Sequence, residues 1–229
     1  MKYLPGLLAG ILSGKAGNIV AARNRYGPYF RTRTMPTKVN SDYTNDVRGR
    51  LASLSMAYGA LTEAQRDAWR TWAATNPMTD RLGATHVLQP SACFNGLNAR
   101  ILQAGGTQID VPPIAVPPGP IEGQAITAVS GAQSVNVTWT SGALGASECL
   151  AAWIATVDSA GRSYYRNLLK LVDISAAAGT SPFAVTTEYL LRFGTLINGQ
   201  KLFLEAEVWD NATGLVSGRV FSSFTVITA

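Results

Sequence analysis

The chain has 229 residues, 14% of them charged and 47% hydrophobic, with a net charge of +5. Its two cysteines, Cys93 and Cys149, fall in different predicted domains and in no CxxC motif, so we expect neither a structural disulfide nor a cysteine metal site. The single histidine, His86, excludes a histidine-rich metal centre and lies beside no nucleophile motif. We interpret it as a surface histidine or one satisfied in a core.

The charge is divided unevenly along the chain. Residues 1–110 contain thirteen Lys or Arg and six Asp or Glu, whereas residues 111–229 contain six and eight, which gives net charges of +7 and −2. The two halves therefore face different partners, or the front half faces an acidic surface while the rear half is solvated. The alternative is that the charge of the front half only keeps the protein soluble. The charged fraction is low against about a quarter in average soluble domains, which favours a protein that buries surface in an assembly.

Residues 1–40 are predicted to form an N-terminal arm and a basic hairpin. The apolar run at residues 4–12 contains a proline and two glycines and resembles a signal peptide only faintly. It is far shorter than the roughly 20 residues that span a bilayer. We favour an arm that is ordered or bound by a partner over an export signal, and we expect no membrane association.

The hairpin is predicted from two segments with β-branched and aromatic residues, 19–25 and 29–34, joined by a turn at Gly27-Pro28. Each segment carries two arginines at i, i+2, a spacing that places both side chains on one face of a strand. The hairpin would then present four guanidinium groups together. We predict that this patch docks on an acidic protein surface or on DNA. The predicted docking residues are Lys15, Arg23, Arg25, Arg31 and Arg33.

Residues 41–106 are predicted to form a small helical domain. A first helix at residues 43–59 has apolar residues at helical spacing, and a capping box of Thr62 and Gln65 begins a second helix that ends near Thr75. The apolar face of the first helix consists of Tyr43, Val47, Leu51, Leu54 and Tyr58.

A third helix is predicted at residues 91–103, after a short strand at residues 85–88. Ser91 is its predicted N-cap, and Gly105-Gly106 ends it. Its predicted apolar face consists of Phe94, Leu97, Ile101 and Leu102.

Two tryptophans, Trp69 and Trp72, lie on one side of the second helix. The short connection between the first two helices also fits a helix-turn-helix that reads DNA. Tryptophans on one face are much more often core or interface anchors than base readers, so we predict that both are buried in the helical core or in a subunit interface.

Residues 107–120 are rich in proline and are predicted to be a semi-rigid connector between domains. Residues 121–229 contain short alternating segments at roughly ten-residue spacing, which is typical of a β-sandwich. Without a cysteine pair around Trp139, a fibronectin-III-like sandwich fits better than an antibody-like one. The predicted fold class is therefore α+β: an arm, a basic hairpin and a small helical domain, followed by a fibronectin-III/Ig-like β-sandwich.

Within the predicted sandwich, Glu205 and Glu207 are expected on one face of the same strand. One segment, residues 186–193, interrupts the strand pattern and is predicted to be a short helix. The predicted strands cover residues 135–139, 150–157, 164–172, 202–209 and 216–227.

Four segments of the first hundred residues carry a resemblance: GKAGNIV at residues 14–20, RNRYG at 23–27, RTR at 31–33 and LTEAQRDAW at 61–69. Together they resemble a family of proteins from tailed bacteriophages and prophages. The predicted C-terminal sandwich likewise resembles the fibronectin-like modules attached to phage virion proteins. The resemblance implies a phage origin and a structural role, and it transfers no functional residues.

We therefore expect a virion structural protein of the head-decoration, minor-capsid or tail-associated type, located in the virion after synthesis in the host cytoplasm. Its expected partners are other virion subunits and further copies of itself, with non-specific contact to packaged DNA. The alternative is a non-enzymatic nucleic-acid-binding phage protein that uses the basic hairpin. An enzyme fits poorly, because no acid/base pair or glycine-rich phosphate loop is recognisable, and we expect no cofactor or metal.

Overall fold

The computed structural model describes residues 12–34, 41–80, 82–159 and 161–228. Residues 1–11 of the predicted arm lie outside the described part. Helices and antiparallel sheets both occur, so the α+β class is confirmed.

The basic hairpin is part of a three-stranded antiparallel sheet, in the order β1 (Gly14–Ala16), β2 (Ile19–Asn24) and β3 (Gly27–Thr32). The predicted turn at Gly27-Pro28 is wrong, because Gly27 and Pro28 belong to β3 and the turn is Arg25-Tyr26. The Asn24 side chain accepts a hydrogen bond from the Tyr26 N–H at 2.9 Å, and Gly27 has a φ of 105°. An Asn side chain that closes the turn and a glycine at positive φ favour a tight two-residue connection here.

Three helices follow: α1 (Asp42–Ala60), α2 (Glu63–Thr75) and α3 (Pro90–Gln103). The predicted capping box of α2 is confirmed, since the Gln65 N–H donates to Thr62 Oγ1 at 3.3 Å and the Thr62 N–H donates to Gln65 Oε1 at 2.9 Å. The predicted Ser91 cap of α3 is wrong. The helix begins at Pro90, whose missing N–H costs nothing at the first helical position.

A short ribbon of β4 (Met78–Thr79) and β5 (Thr85–His86) lies between α2 and α3. The helices share one apolar core around Trp69, which is fully buried and lies edge-on to Phe94 with ring centroids 5.4 Å apart. Trp72 lies at the border of this core and is half-buried.

The predicted apolar faces of α1 and α3 are only partly correct. Leu54 is the buried residue of α1 within the described chain, while Tyr43 and Leu51 are exposed. In α3, Leu102 of the predicted face is exposed, and the polar Asn98 is buried instead. Asn98 is buried because a distant segment satisfies its side chain. The side chain donates to the Ile109 carbonyl at 3.0 Å and accepts from the Ile109 N–H at 2.8 Å.

Residues 121–228 contain two antiparallel sheets that share one core; we call this part the two-sheet region. Its elements in chain order are β6 (Ala125–Val129), β7 (Ser134–Thr138), β8 (Glu148–Val157), β9 (Lys170–Ile174), β10 (Phe183–Ala184), α4 (Thr186–Phe193), β11 (Lys201–Asp210) and β12 (Val220–Thr225). One sheet has the order β10-β7-β6 and the other β12-β11-β8-β9. Val135 and Val137 of the first sheet and Ile154 and Leu204 of the second are fully buried in the common core.

Helix α4 has the predicted bounds, but two predicted strands begin too early. The strand predicted from residue 164 starts at Lys170, because residues 161–169 fold over the outer face of the four-stranded sheet. The strand predicted from residue 216 starts at Val220; Val216 forms only an isolated bridge to Trp209.

Helix α3 contacts the turn between β11 and β12. The Arg100 guanidinium donates to the Gly214 carbonyl at 3.2 Å, and a Cβ on Gly214 would lie 2.5 Å from the Leu97 carbonyl oxygen. The connector is also attached to the helices at its start, because the Trp69 indole N–H donates to the Asp110 carbonyl at 2.8 Å. Within the described residues, we find no helix with the length and apolar character needed to cross a bilayer.

Candidate functional site

The predicted basic patch is split by the register of the hairpin. Arg23 lies opposite Pro28, and Arg31 lies opposite Val20. Residues opposite each other in an antiparallel pair share a face, and Pro28 and Arg31 are an odd number of positions apart. Arg23 and Arg31 therefore point to opposite faces, and the prediction that the four guanidinium groups lie together is wrong.

The remaining predicted cations are distributed as follows. Lys15 of β1 also lies opposite Val20, so Lys15 and Arg31 flank this residue on one face. Arg25 lies in the turn and Arg33 lies beyond the end of β3. The structure thus brings together Lys15 and Arg31, and separates Arg23 from them.

The hairpin turn contacts the β4-β5 ribbon through Tyr26, whose ring lies edge-on to His86 at a centroid distance of 5.5 Å. His86 Nε2 is 3.0 Å from Asp80 Oδ2, and Asp80 Oδ1 accepts from the N–H groups of Leu82 and Ala84. The geometry gives His86 a structural contact, in agreement with its interpretation from the sequence.

The outer face of the four-stranded sheet carries a second, unpredicted cluster of polar groups. Glu205 and Glu207 alternate with Leu204 and Ala206 along β11, so they share one face, as predicted, and the structure shows that this face points away from the core. Only 9% of Glu205 and 7% of Glu207 is exposed. Carboxylates this buried need partners that satisfy their charge.

Arg219, just before β12, supplies the positive charge that pairs with both carboxylates. Its Nε donates to Glu207 Oε2 at 2.8 Å and its Nη1 donates to Glu205 Oε2 at 3.2 Å. Its guanidinium also lies over the Trp153 ring, 4.4 Å from the centroid. Burial alone would lower the pKa of Arg219, but the hydrogen bonds and charges of Glu207 and Glu205 outweigh it and raise this pKa.

The second oxygen of each carboxylate accepts a hydrogen bond from an aromatic side chain. The Trp209 indole N–H donates to Glu207 Oε1 at 2.6 Å, and the Tyr165 hydroxyl donates to Glu205 Oε1 at 3.2 Å. Burial and the neighbouring Glu205 raise the pKa of Tyr165, and the nearby Arg166 guanidinium partly opposes this rise.

The Tyr165 ring stacks on Phe203 at 4.4 Å between centroids and on Phe221 at 5.2 Å. Behind it, Leu168 and Leu169 pack on the sheet beside Phe203. A groove of about 440 Å³ lies between residues 165–169 and the start of β12, with Glu205 among its lining. We call it the aromatic–arginine groove. Its lining residues are Tyr165, Arg166, Leu169, Glu205, Arg219, Val220 and Phe221.

The groove is suited to binding by stacking and hydrogen bonds. Its carboxylate is held by Arg219 and Tyr165 and is therefore poorly placed to move a proton. Among the described residues, no group of three or more His, Cys, Asp and Glu could hold a metal ion. Cys93 and Cys149 are free, buried thiols, and burial raises the pKa of both, which disfavours the reactive thiolate.

A second groove, of about 540 Å³, lies between α2 and the connector; we call it the connector groove. Trp72 and Thr75 line its α2 side, and Pro113 and Ile114 line its connector side. Ile114 is fully exposed and Val116 is 86% exposed. Large aliphatic side chains this exposed favour burial against another molecule.

The sequence placed Glu205 and Glu207 on one strand face but identified neither them nor Arg219, Tyr165 and Phe221 as parts of a site. Local periodicity places two carboxylates on one strand face, but it carries no information about which distant segment covers that face. The nearest signal in the sequence is the run of aromatic and basic residues at 162–166.

Comparisons with known proteins give little similarity. No protein-family model matches the chain, and no curated protein matches it. Among solved structures, the chain is similar to a Fn3-like protein from Clostridium thermocellum, with 13% sequence identity and a TM-score of 0.29. That match covers 50% of this chain and 98% of the other. A likeness this weak carries no argument about this protein.

Proposed function

We propose that this protein is a non-enzymatic structural component of a tailed-phage virion, of the head-decoration, minor-capsid or tail-associated type. Its N-terminal half docks on neighbouring subunits, including further copies of the protein, and its two-sheet region projects from that base as a fibronectin-III-like β-sandwich. The observation that carries the proposal is the exposed apolar surface at the connector groove, where Ile114 and Trp72 line the groove and the exposed Val116 follows two residues along the connector.

The connector groove supports docking because exposed apolar surface gains about 25 cal/mol per Å² when a partner covers it. Its position also fits the proposal, since the groove lies between α2 and the connector that leads to the two-sheet region. A partner that fills it would hold the connector in place, and the two-sheet region would remain outside the contact.

The hairpin also supports docking, although its shared basic patch contains fewer cations than the sequence predicts. Lys15 and Arg31 flank Val20 on one face, which fits an acidic patch of a neighbouring subunit. Arg23 lies on the other face, so the cations form no continuous track along a phosphate backbone. This arrangement favours a protein partner over the nucleic-acid alternative.

The sandwich assignment rests on topology. A three-stranded and a four-stranded antiparallel sheet enclose one core, which is the arrangement of fibronectin-like modules. The single fully buried Trp69 and its neighbours form a separate core in the helices. A base that docks and a module that projects each need a core of their own, and the helices and the two sheets each have one.

The test is incorporation into particles. Ile114→Ser combined with Val116→Ser should reduce the copy number in purified virions, measured by quantitative mass spectrometry, with unchanged thermal unfolding of the free protein. Leu191→Ser is the matched control, because Leu191 is an aliphatic residue of α4 in the two-sheet region that is also mostly exposed, at 75%. Normal incorporation of the double variant, or absence of the wild-type protein from virions, would overturn the proposal.

A further inference from the structure

We propose that the aromatic–arginine groove binds an acidic saccharide, with one hexuronate residue seated between Phe221 and Arg166. This inference goes beyond the proposed function and does not depend on it, because it concerns a ligand site on the two-sheet region rather than its docking. It rests on an open aromatic face, a partly used carboxylate and an exposed guanidinium with no salt bridge among the described residues, all of which line the same groove.

Phe221 supplies the stacking surface. It is 48% exposed, while its ring is held against Tyr165, which in turn stacks on Phe203. The three rings fix one another, so little side-chain freedom is lost when a ligand arrives. An open aromatic face with a rigid back suits a flat, weakly apolar surface such as the C–H face of a sugar ring.

Glu205 supplies hydrogen-bond acceptors beside that face. An ionised carboxylate has about four acceptor positions. Tyr165 and Arg219 use one position on each oxygen, which leaves positions that ligand hydroxyl groups can fill. The hydrogen bonds from Arg219 and Tyr165 hold the carboxylate in place, so these acceptors are preorganised.

Arg166 supplies the charge that selects an acid. It is exposed, lines the groove, and forms no salt bridge with any carboxylate of the described residues. Arg219 is already committed to two carboxylates. A guanidinium binds a carboxylate through two parallel hydrogen bonds, so Arg166 fits the carboxylate of a uronic acid.

Other ligand classes fit the groove less well. Its charged lining consists of Arg166, Arg219 and Glu205, a net charge of only +1, and Glu207 lies directly beside them. A chain of phosphates would be repelled by two carboxylates and attracted by two arginines, and one of these arginines, Arg219, is already bound to both carboxylates. A neutral sugar would bring no opposite charge to Arg166. The groove volume of about 440 Å³ lies within the range of about 300–1,000 Å³ typical of small-molecule sites.

The experiment is saturation-transfer NMR and calorimetric titration of the full chain with trigalacturonate, with maltotriose as the neutral probe. We expect trigalacturonate to bind with a Kd of about 1 mM or lower and maltotriose to bind at least about tenfold more weakly. Arg166→Gln should weaken trigalacturonate binding about tenfold and leave maltotriose unchanged, since it removes a charge-assisted hydrogen bond. Phe221→Ser should weaken both.

Arg162→Gln is the matched control, because Arg162 is exposed in the same loop and does not line the groove. Arg166 is exposed, so its substitution leaves the fold intact and thermal unfolding should be unchanged. No binding of trigalacturonate at about 10 mM overturns the proposal. Equal losses for Arg162→Gln and Arg166→Gln, or displacement of trigalacturonate by an oligodeoxythymidylate at equal concentration, also overturn it.

Discussion

Trp69 and Trp72 are three residues apart on α2, yet they have different roles at the scale of single residues. Trp69 is fully buried, lies edge-on to Phe94, and donates its indole N–H to the Asp110 carbonyl. Trp72 is half-buried and lines the connector groove. The prediction that both are buried therefore holds for Trp69 in this chain, while full burial of Trp72 requires a partner.

Trp69→Ala should lower the free energy of unfolding by about 3–5 kcal/mol, as for other buried aromatic truncations. It removes a packed ring and leaves the Asp110 carbonyl without its donor. Trp72→Ala should cost about 1 kcal/mol, because much of its surface is already in water. Urea unfolding followed by circular dichroism measures both values. Equal losses for the two variants would show that Trp72 is as much a core residue as Trp69.

At the scale of elements, the turn between β11 and β12 determines how the helices meet the two-sheet region. Gly214 has a φ of 72° and no room for a Cβ against Leu97, and Asp210 holds the turn through the Thr213 hydroxyl at 2.7 Å and the Ala212 N–H at 2.9 Å. Leu215, which follows, packs against the helical core. This short turn therefore packs against the helices while it belongs to the two-sheet region.

Gly214→Ala should destabilise the protein by more than its backbone conformation alone explains. Gly199 is the matched control, because its φ of 85° is similar and a Cβ there meets open space. We expect Gly199→Ala to cost about 1 kcal/mol and Gly214→Ala about 2–3 kcal/mol, since α3 must also shift. Thermal unfolding checks the order. Equal costs would mean that α3 does not rest on this turn.

Asp210 should make the stability of this turn dependent on pH. Burial alone would raise the pKa of Asp210, but hydrogen bonds from Thr213, Ala212 and Ser147 outweigh it and lower the pKa below the ordinary value of 3.8. A lowered pKa means that the ionised group stabilises the fold above about pH 4, and that this contribution is lost as the pH falls through the folded-state pKa.

Asp210→Asn should therefore be less stable than the wild type at pH 7, and the difference should shrink below about pH 4. Urea unfolding at both pH values measures it. A difference that does not change with pH would contradict a role for the Asp210 charge.

At the scale of the whole molecule, the two larger apolar cores of the described residues are joined by a connector that is only partly free. Its first residues are bound to the helices through Asn98 and Trp69, whereas Ile114 and Val116 lie in solvent. Arg100 also links α3 to the β11–β12 turn. Burial in this contact lowers the pKa of Arg100, although the charge of Glu207 favours its protonated form.

Limited proteolysis should cut the chain within residues 111–120 and leave a fragment of about residues 121–229 that resists further digestion. Purified, this fragment should remain folded but melt below the full chain, because Leu215 and Gly214 lose their cover from α3. Mass spectrometry and thermal unfolding of the fragment check both points. Continuous degradation of the fragment would contradict an independent two-sheet core.

The sequence by itself determined the features that depend on near neighbours. The Thr62–Gln65 capping box, the bounds of α4 and the shared face of Glu205 and Glu207 follow from spacings of a few residues, where local geometry decides. Only the tertiary structure decided which distant groups meet. The pairing of β2 with β3 put Arg23 and Arg31 on opposite faces, because Arg23 lies opposite Pro28, three residues from Arg31, and strand side chains alternate with every residue. Arg219 and Tyr165 reach Glu205 from segments 14 and 40 residues away, a pairing that depends on how the sheet is covered and that no local period encodes.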